Sequence, residues 1–310
     1  MYQYNGLLQL LKQNHLNKSD LTKVLQISSR TIAKISKGEK LSPRVIRKLC
    51  DFFDCAEETL YSVFPNNPIL RQLREEKDVG ISGGIYHELQ IRMTYNSNHM
   101  EGSRLNEEQT RHIFETNTLF SHDAVSVDDV IETVNHFRAM DYCIEIAEEA
   151  LTEKIIKQLH YLLKSRSKDE TLSWFKVGEY KTRPNVVGGI ATSSPSNVAN
   201  DIQQLLKKYH EKKQITFEDI VEFHFQFEKI HPFKDGNGRV GRLIAFKECL
   251  KHSLIPFMIE DKKKFYYYRG LKEFLDNPNY LIDTCYDGQD TMKRLLEYFQ
   301  VELPIEPYSG

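Results

Sequence analysis

Twelve consecutive residues, His231-Pro232-Phe233-Lys234-Asp235-Gly236-Asn237-Gly238-Arg239-Val240-Gly241-Arg242, place a proton acceptor, a hard carboxylate, a glycine-bearing turn and two guanidinium groups on one stretch. His231 can take up a proton near neutral pH. Asp235 offers the kind of oxygen that binds Mg2+ alongside phosphates and water. Gly236 and Gly238 permit backbone angles that residues with a Cβ avoid. Arg239 and Arg242 lie three apart, so they share one face of a helical turn. Guanidinium groups match phosphate oxygens with paired hydrogen bonds. Together these residue types suit holding a triphosphate and attacking it.

The elements around the stretch must aim it. Ile220, Phe223, Phe227 and Ile230 recur at helical spacing, although Phe225 also admits a strand. Pro232 disfavours helical geometry at His231 and removes a backbone donor. His231 is therefore expected at the end of a helix, with Phe233 pinning the loop into the core. From Val240 through Ile244, Ala245 and Leu250 the pattern is helical again. A loop leading into a helix N-terminus points free N–H groups outward, where the dipole favours negative charge.

The stretch resembles the signature of the Fic family, H-P-F-x-D/E-G-N-G-R-x-x-R, at every fixed position. Fic proteins are helical enzymes that usually transfer AMP from ATP to a protein hydroxyl. The resemblance implies a general base at His231 and Mg2+ on Asp235. It implies an anion hole at Gly236, Asn237 and Gly238, with the Asn237 side chain on the α-phosphate. Arg239 would take the β/γ-phosphates and Arg242 the γ-phosphate of ATP. A glycine at 238, where the kinase-like branch carries Lys, favours AMP transfer over phosphate transfer.

Three more segments fit the family. Ser97-Asn98-His99-Met100-Glu101-Gly102 resembles the inhibitory motif S/T-x-x-x-E-G/N. It implies a helix over about 86–102 whose Ser97 and Glu101 share a face, with Glu101 pairing to Arg242 in the γ-phosphate's place. A plain helix end capped by Gly102 is the alternative. The segment around Val186, Val187, Gly188, Gly189 and Ile190 resembles the flap, a small β-hairpin that docks the target by strand addition. Phe265-Tyr266-Tyr267-Tyr268 resembles a region that closes the nucleotide site. There Tyr266 or Tyr267 either touches adenine or packs in the core.

The first 65 residues form a different object. Helix-length segments alternate with short polar turns, and Ser28 or Ser29 can cap a helix that Gly38 stops. This resembles a phage-repressor helix-turn-helix, with Ser29, Arg30, Lys34 and Lys37 directed to the DNA major groove. Residues 1–65 hold ten Lys/Arg against six Asp/Glu, while the whole chain carries −2. That local excess suits a DNA-facing module, and weak, salt-sensitive binding by one copy.

The expected fold class is all-α: a helix-turn-helix bundle over 1–65, a linker over 66–84, and a helical Fic domain with its flap over 85–310. The 310 residues allow two domains and a sizeable core. No apolar run reaches membrane-spanning length, and the first residues lack the pattern of a signal peptide. The five cysteines are scattered, without zinc spacing, and read as reduced thiols of a cytoplasmic protein. The partners implied are a target protein bearing a Thr, Tyr or Ser hydroxyl, DNA, and in an open alternative a second copy of the chain. A toxin-like, self-inhibited adenylyltransferase is the leading reading. Its rivals are a transcription regulator whose Fic domain senses nucleotide, and an enzyme that removes AMP.

Overall fold

The computed structural model describes residues 2–63, 67–187 and 190–304. Two compact units divide the chain, Met1–Asn66 and Asn67–Gly310. Both are helical, as the sequence patterns predict, and among the described residues strand is confined to short two-stranded ladders.

In the first unit, β1 (Tyr2–Gln3) is followed by α1 (Asn5–Gln13), α2 (Asp20–Val24), α3 (Ser29–Lys37), α4 (Pro43–Phe53), α5 (Glu57–Leu60) and β2 (Ser62–Val63). The Ser28 hydroxyl accepts from the Thr31 N–H at 3.2 Å and starts α3, an N-cap contributing about 1 kcal/mol. Gly38 ends α3 in the left-handed region, φ 65°, where a Cβ is penalised. Leu7, Leu21, Ile35, Leu49 and Leu60 fill the core. Ser29, Arg30 and Lys37 are exposed on α3, and Lys34 is partly covered. The β1–β2 ladder, Tyr2 opposite Val63, is too short to leave a sequence signal.

The second unit runs α6 (Pro68–Val79), α7 (Ile85–Met100), α8 (Glu107–Thr116), α9 (Val127–Glu145), α10 (Glu153–Lys164), β3 (Val186–Val187), β4 (Ile190–Ala191), α11 (Val198–His210), α12 (Phe217–Ile230), α13 (Asn237–Lys251), α14 (Lys264–Glu273) and α15 (Asn279–Tyr298). The stretch 66–84, read from sequence as a linker, instead carries α6. Asn67 caps it, accepting from the Ile69 N–H at 2.9 Å, and donates to the Leu250 carbonyl at the end of α13 at 2.8 Å. Ile69, Leu70 and Leu73 are fully buried. Of the glycines that follow, Gly84 is closely packed: a Cβ there would lie 2.3 Å from the Glu76 carboxylate. Polar residues on the outer face of α6 hid its buried face.

The core of this unit gathers residues from α6, α7, α9, α10, α11, α12, α13 and α15, including Leu89, Met140, Leu159, Ile202, Phe227, Ile244 and Leu296. Each such buried side chain contributes about 2–3 kcal/mol. Thirteen of the fifteen residues of α13 are buried. The helix that starts at the motif therefore runs through the middle of the unit, which fixes its first turn rigidly.

Candidate active site

His231 is the C-cap of α12 in the left-handed region, φ 51°, and Pro232 after it keeps the helix from continuing. Its Nδ1 lies 3.3 Å from the Glu228 carbonyl. A carbonyl only accepts, so Nδ1 carries the proton and Nε2 the lone pair. Among the described residues Nε2 has no hydrogen-bond partner. Burial pushes the ring's pKa down to about 4, against the pull of the Glu228 carbonyl and with help from the charge of Lys181. The imidazole is thus neutral, anchored on one nitrogen and open on the other.

The loop beyond it is held from within. Phe233 is fully buried and stacks on His160, ring centroids 3.9 Å apart. His160 accepts from the Gly178 N–H at 2.9 Å and donates to the Asp235 carbonyl at 3.2 Å. The Asn237 side chain turns inward: Oδ1 accepts from the Phe233 N–H at 2.8 Å and Nδ2 donates to the Phe233 carbonyl at 2.9 Å. The side chain expected on the α-phosphate is therefore spent on tying the loop, because the loop's buried backbone groups need partners. Gly236 precedes α13 at φ 78°, a conformation glycine supplies without strain.

The carboxylate of Asp235 faces solvent on one side and cations on the other. Lys164, a side chain 2% exposed, donates to Asp235 at 2.7 Å and to Asp169 at 2.8 Å, and also pairs with Glu132. Arg239 pairs with Glu132 and lies 3.4 Å from Asp235. Burial opposes ionisation of Asp235, but Arg239 and Lys164 outweigh it and hold the pKa down at about 2. Carboxylate oxygens of Glu132, Asp169 and Asp235 all lie within 4.8 Å of one another, a set able to hold a cation, and Lys164 supplies positive charge among them. As an ionised hard oxygen beside Arg239 and Lys164, Asp235 fits a Mg2+ that arrives with phosphates.

Arg242 is the most fully engaged group. Its Nη2 donates to Glu101 Oε1 at 2.7 Å and to the Ser97 carbonyl at 3.0 Å, and its Nε donates to Ser97 Oγ at 3.0 Å. Ser97 lies in α7, and Glu101 caps its end. Gly102 follows at φ 98°. Burial works against the Arg242 charge, and Glu101 more than restores it. A Cβ on Gly238 would lie 2.2 Å from Glu101 Oε1, so the glycine at this position leaves the space the carboxylate occupies.

The aromatic expectations divide. Tyr266 is 59% exposed, whereas Tyr267 is 1% exposed, so Tyr267 is a core residue and not an open adenine contact. Its hydroxyl accepts from Arg242 at 3.5 Å and lies 2.7 Å from His224 Nε2. Burial drives the His224 pKa down to about 3, so that imidazole is neutral and accepts from Tyr267. In the flap, β3 pairs antiparallel with β4, Val186 opposite Ala191 and Val187 opposite Ile190. Val186 and Val187 are exposed, while Gly188 and Gly189 lie outside the described residues. Glu132, Lys164, His160, Lys181 and His224 escaped the sequence reading. Glu132, His160, Lys164 and Lys181 sit on segments remote in the chain, and no local motif marks His224 on α12.

With this geometry in place, comparison with known proteins identifies a domain within the second unit. Residues 150–248 match the model of the Fic/DOC family. The chain carries a Fic/DOC domain. Residues 6–66 match a Cro/C1-type HTH DNA-binding domain. A Protein adenylyltransferase Fic from Drosophila erecta is 24% identical over 255 residues, covering 79% of this chain and 47% of that protein. The chain thus spans less than half the length of the curated relatives it matches. A Fic domain containing signaling protein from Bacteroides thetaiotaomicron VPI-5482 shares the fold at a TM-score of 0.59 and 23% identity, over 74% of this chain and 94% of that one. A Fic family protein from Desulfovibrio desulfuricans G20 does so at 0.57 and 20%, over 77% and 76%. Among the described residues, no helix of the Fic domain or its neighbour is long and apolar enough to cross a membrane.

Proposed function

We propose that the Fic domain is a protein adenylyltransferase held in check by Glu101, joined to a module that binds DNA. The observation that carries this reading is the pairing of an open His231 Nε2 with two buried arginines across one loop. In the proposed reaction the oxygen of a target hydroxyl bonds to the α-phosphorus of ATP. The bond from that phosphorus to the bridging oxygen of the β-phosphate breaks, and pyrophosphate leaves. The hydroxyl proton passes to Nε2 of His231, while Nδ1–H stays on the Glu228 carbonyl and keeps the ring aimed. Arg239 and Arg242 bind the phosphates, and the N–H groups of the first turn of α13 receive the developing charge. Mg2+ would sit on Asp235, where it would neutralise phosphate charge. Catalysis of this kind is chiefly positioning and charge stabilisation.

Glu101 occupies Arg242 in place of the γ-phosphate, so ATP docks unproductively until that carboxylate moves. The exposed residues of α3 would face DNA and give the protein a second, gene-regulating role. Incubation of the Glu101→Gly protein with ATP labelled at either the α- or the γ-phosphate tests the reaction type. Covalent label from the α-position alone is expected. Label from the γ-position would mean phosphate transfer, and label from neither would favour a domain that senses nucleotide without transferring it.

A further inference from the structure

Lys181 is 4% exposed, and no carboxylate pairs with it among the described residues. A buried ammonium satisfied only by neutral oxygens is costly. Its Nζ donates to the His231 carbonyl at 2.8 Å, the Ile230 carbonyl at 3.3 Å, Asn185 Oδ1 at 2.8 Å and Thr192 Oγ1 at 2.7 Å. Two of these acceptors are the backbone of the base itself and of the residue before it. The other two flank the hairpin, one before β3 and one after β4. Neighbouring bonds repeat the pattern. The Lys181 N–H donates to the Pro232 carbonyl at 2.9 Å, the Ser193 N–H to the Ile230 carbonyl at 3.3 Å, and Asn185 Nδ2 to the Phe233 carbonyl at 3.2 Å. Both ends of the flap are thereby tied to residues 230–233.

We propose that Lys181 is a positioning residue that fixes the base of the flap against the catalytic loop, and so sets where a docked hydroxyl meets His231. The function assigned to this tether rests on the transferase reading above. Lys181 touches no reacting atom. It acts through the backbone of His231 and through Asn185 and Thr192. Its charge also lowers the proton affinity of the His231 ring.

The test uses the full chain carrying Lys181→Met, Lys181→Arg or Thr192→Val. Hydrogen exchange over 182–193 should speed about ten-fold in Lys181→Met and less in Thr192→Val, with exchange in α12 and α13 unchanged. Lys181→Arg, which keeps the charge and the donors, should recover part of the protection. The His231 titration midpoint, followed by NMR, should rise in Lys181→Met. In the Glu101→Gly background, Lys181→Met should reduce α-phosphate labelling while Mg·ATP affinity stays the same. Flap exchange unaltered in both Lys181→Met and Thr192→Val would overturn the proposal, and so would an unmoved His231 midpoint. Exchange and titration need no turnover. Absence of label in Glu101→Gly itself would therefore refute transfer and leave the tether standing on those two readouts.

Discussion

The two ends of the motif loop are prepared in opposite ways. At the end of α12, His231 is held by one nitrogen and keeps the other open. At the start of α13, Arg239 and Arg242 are buried, and each is paired with a carboxylate from a distant helix, Glu132 and Glu101. A neutral imidazole can wait beside water at little cost. A buried guanidinium cannot wait without a counter-charge, because an uncompensated buried ion costs several kcal/mol. The carboxylates are thus required by the fold wherever phosphate is absent. In the reading proposed here, one of them is also the brake. They differ in burial, with the Glu132 side chain 16% exposed and Glu101 29%, so the two pairs need not open together.

Removing the open end should have the largest effect. In the Glu101→Gly background, His231→Ala is expected to lower initial labelling rates about 10²- to 10⁴-fold, with Mg·ATP binding by calorimetry retained. Comparable rates would mean that the base is another group.

The two clamps can be set against each other by melting temperature. Glu132→Gln strips Arg239 and Lys164 of a shared partner and should cost about 3–5 kcal/mol, lowering the Tm by about 10 °C. Glu101→Gly leaves Arg242 its Ser97 bonds and opens a more exposed site, so it should cost less, about 1–3 kcal/mol. Equal losses would erase the distinction between a structural and a releasable carboxylate.

A smaller effect follows from protons. Burial holds His136, His160 and His224 down to about 3 and His231 to about 4. In the unfolded chain imidazoles bind protons below about 6.5, while the folded ones resist, so stability present above that pH is lost as pH falls toward 4. Glu228 acts in the opposite sense: burial raises it to about 8, and its contribution is lost as pH rises from about 4.5 to 8. Four imidazoles outweigh one carboxyl, so the Tm should drop between about pH 7 and pH 5. A flat profile would show that water reaches these rings.

The helical class, the helix break at His231 and the inward Phe233 were legible because each is a local matter of spacing or of proline geometry. The helix-turn-helix was legible for the same reason, through Ser28, Gly38 and the intervening apolar period. What stayed hidden depends on contacts across the chain. Lys164 reads as the polar end of an amphipathic helix, yet its ammonium lies among three carboxylates. Asn237 belongs to a phosphate-type motif, yet its amide ties the loop's own backbone. Tyr267 differs from Tyr266 only in facing the core, which three consecutive tyrosines do not reveal. α6 reads as a linker in the sequence because its outer face is charged and glycines follow it.

Whether Glu101 is a brake is decided by the rate of α-phosphate labelling by the wild-type chain and by Glu101→Gly, side by side at saturating Mg·ATP. A large rise is expected when Glu101 is removed, because Arg242 is then free for the γ-phosphate. An unchanged or lower rate in Glu101→Gly would contradict it, and would make the Glu101–Arg242 pair a structural contact only.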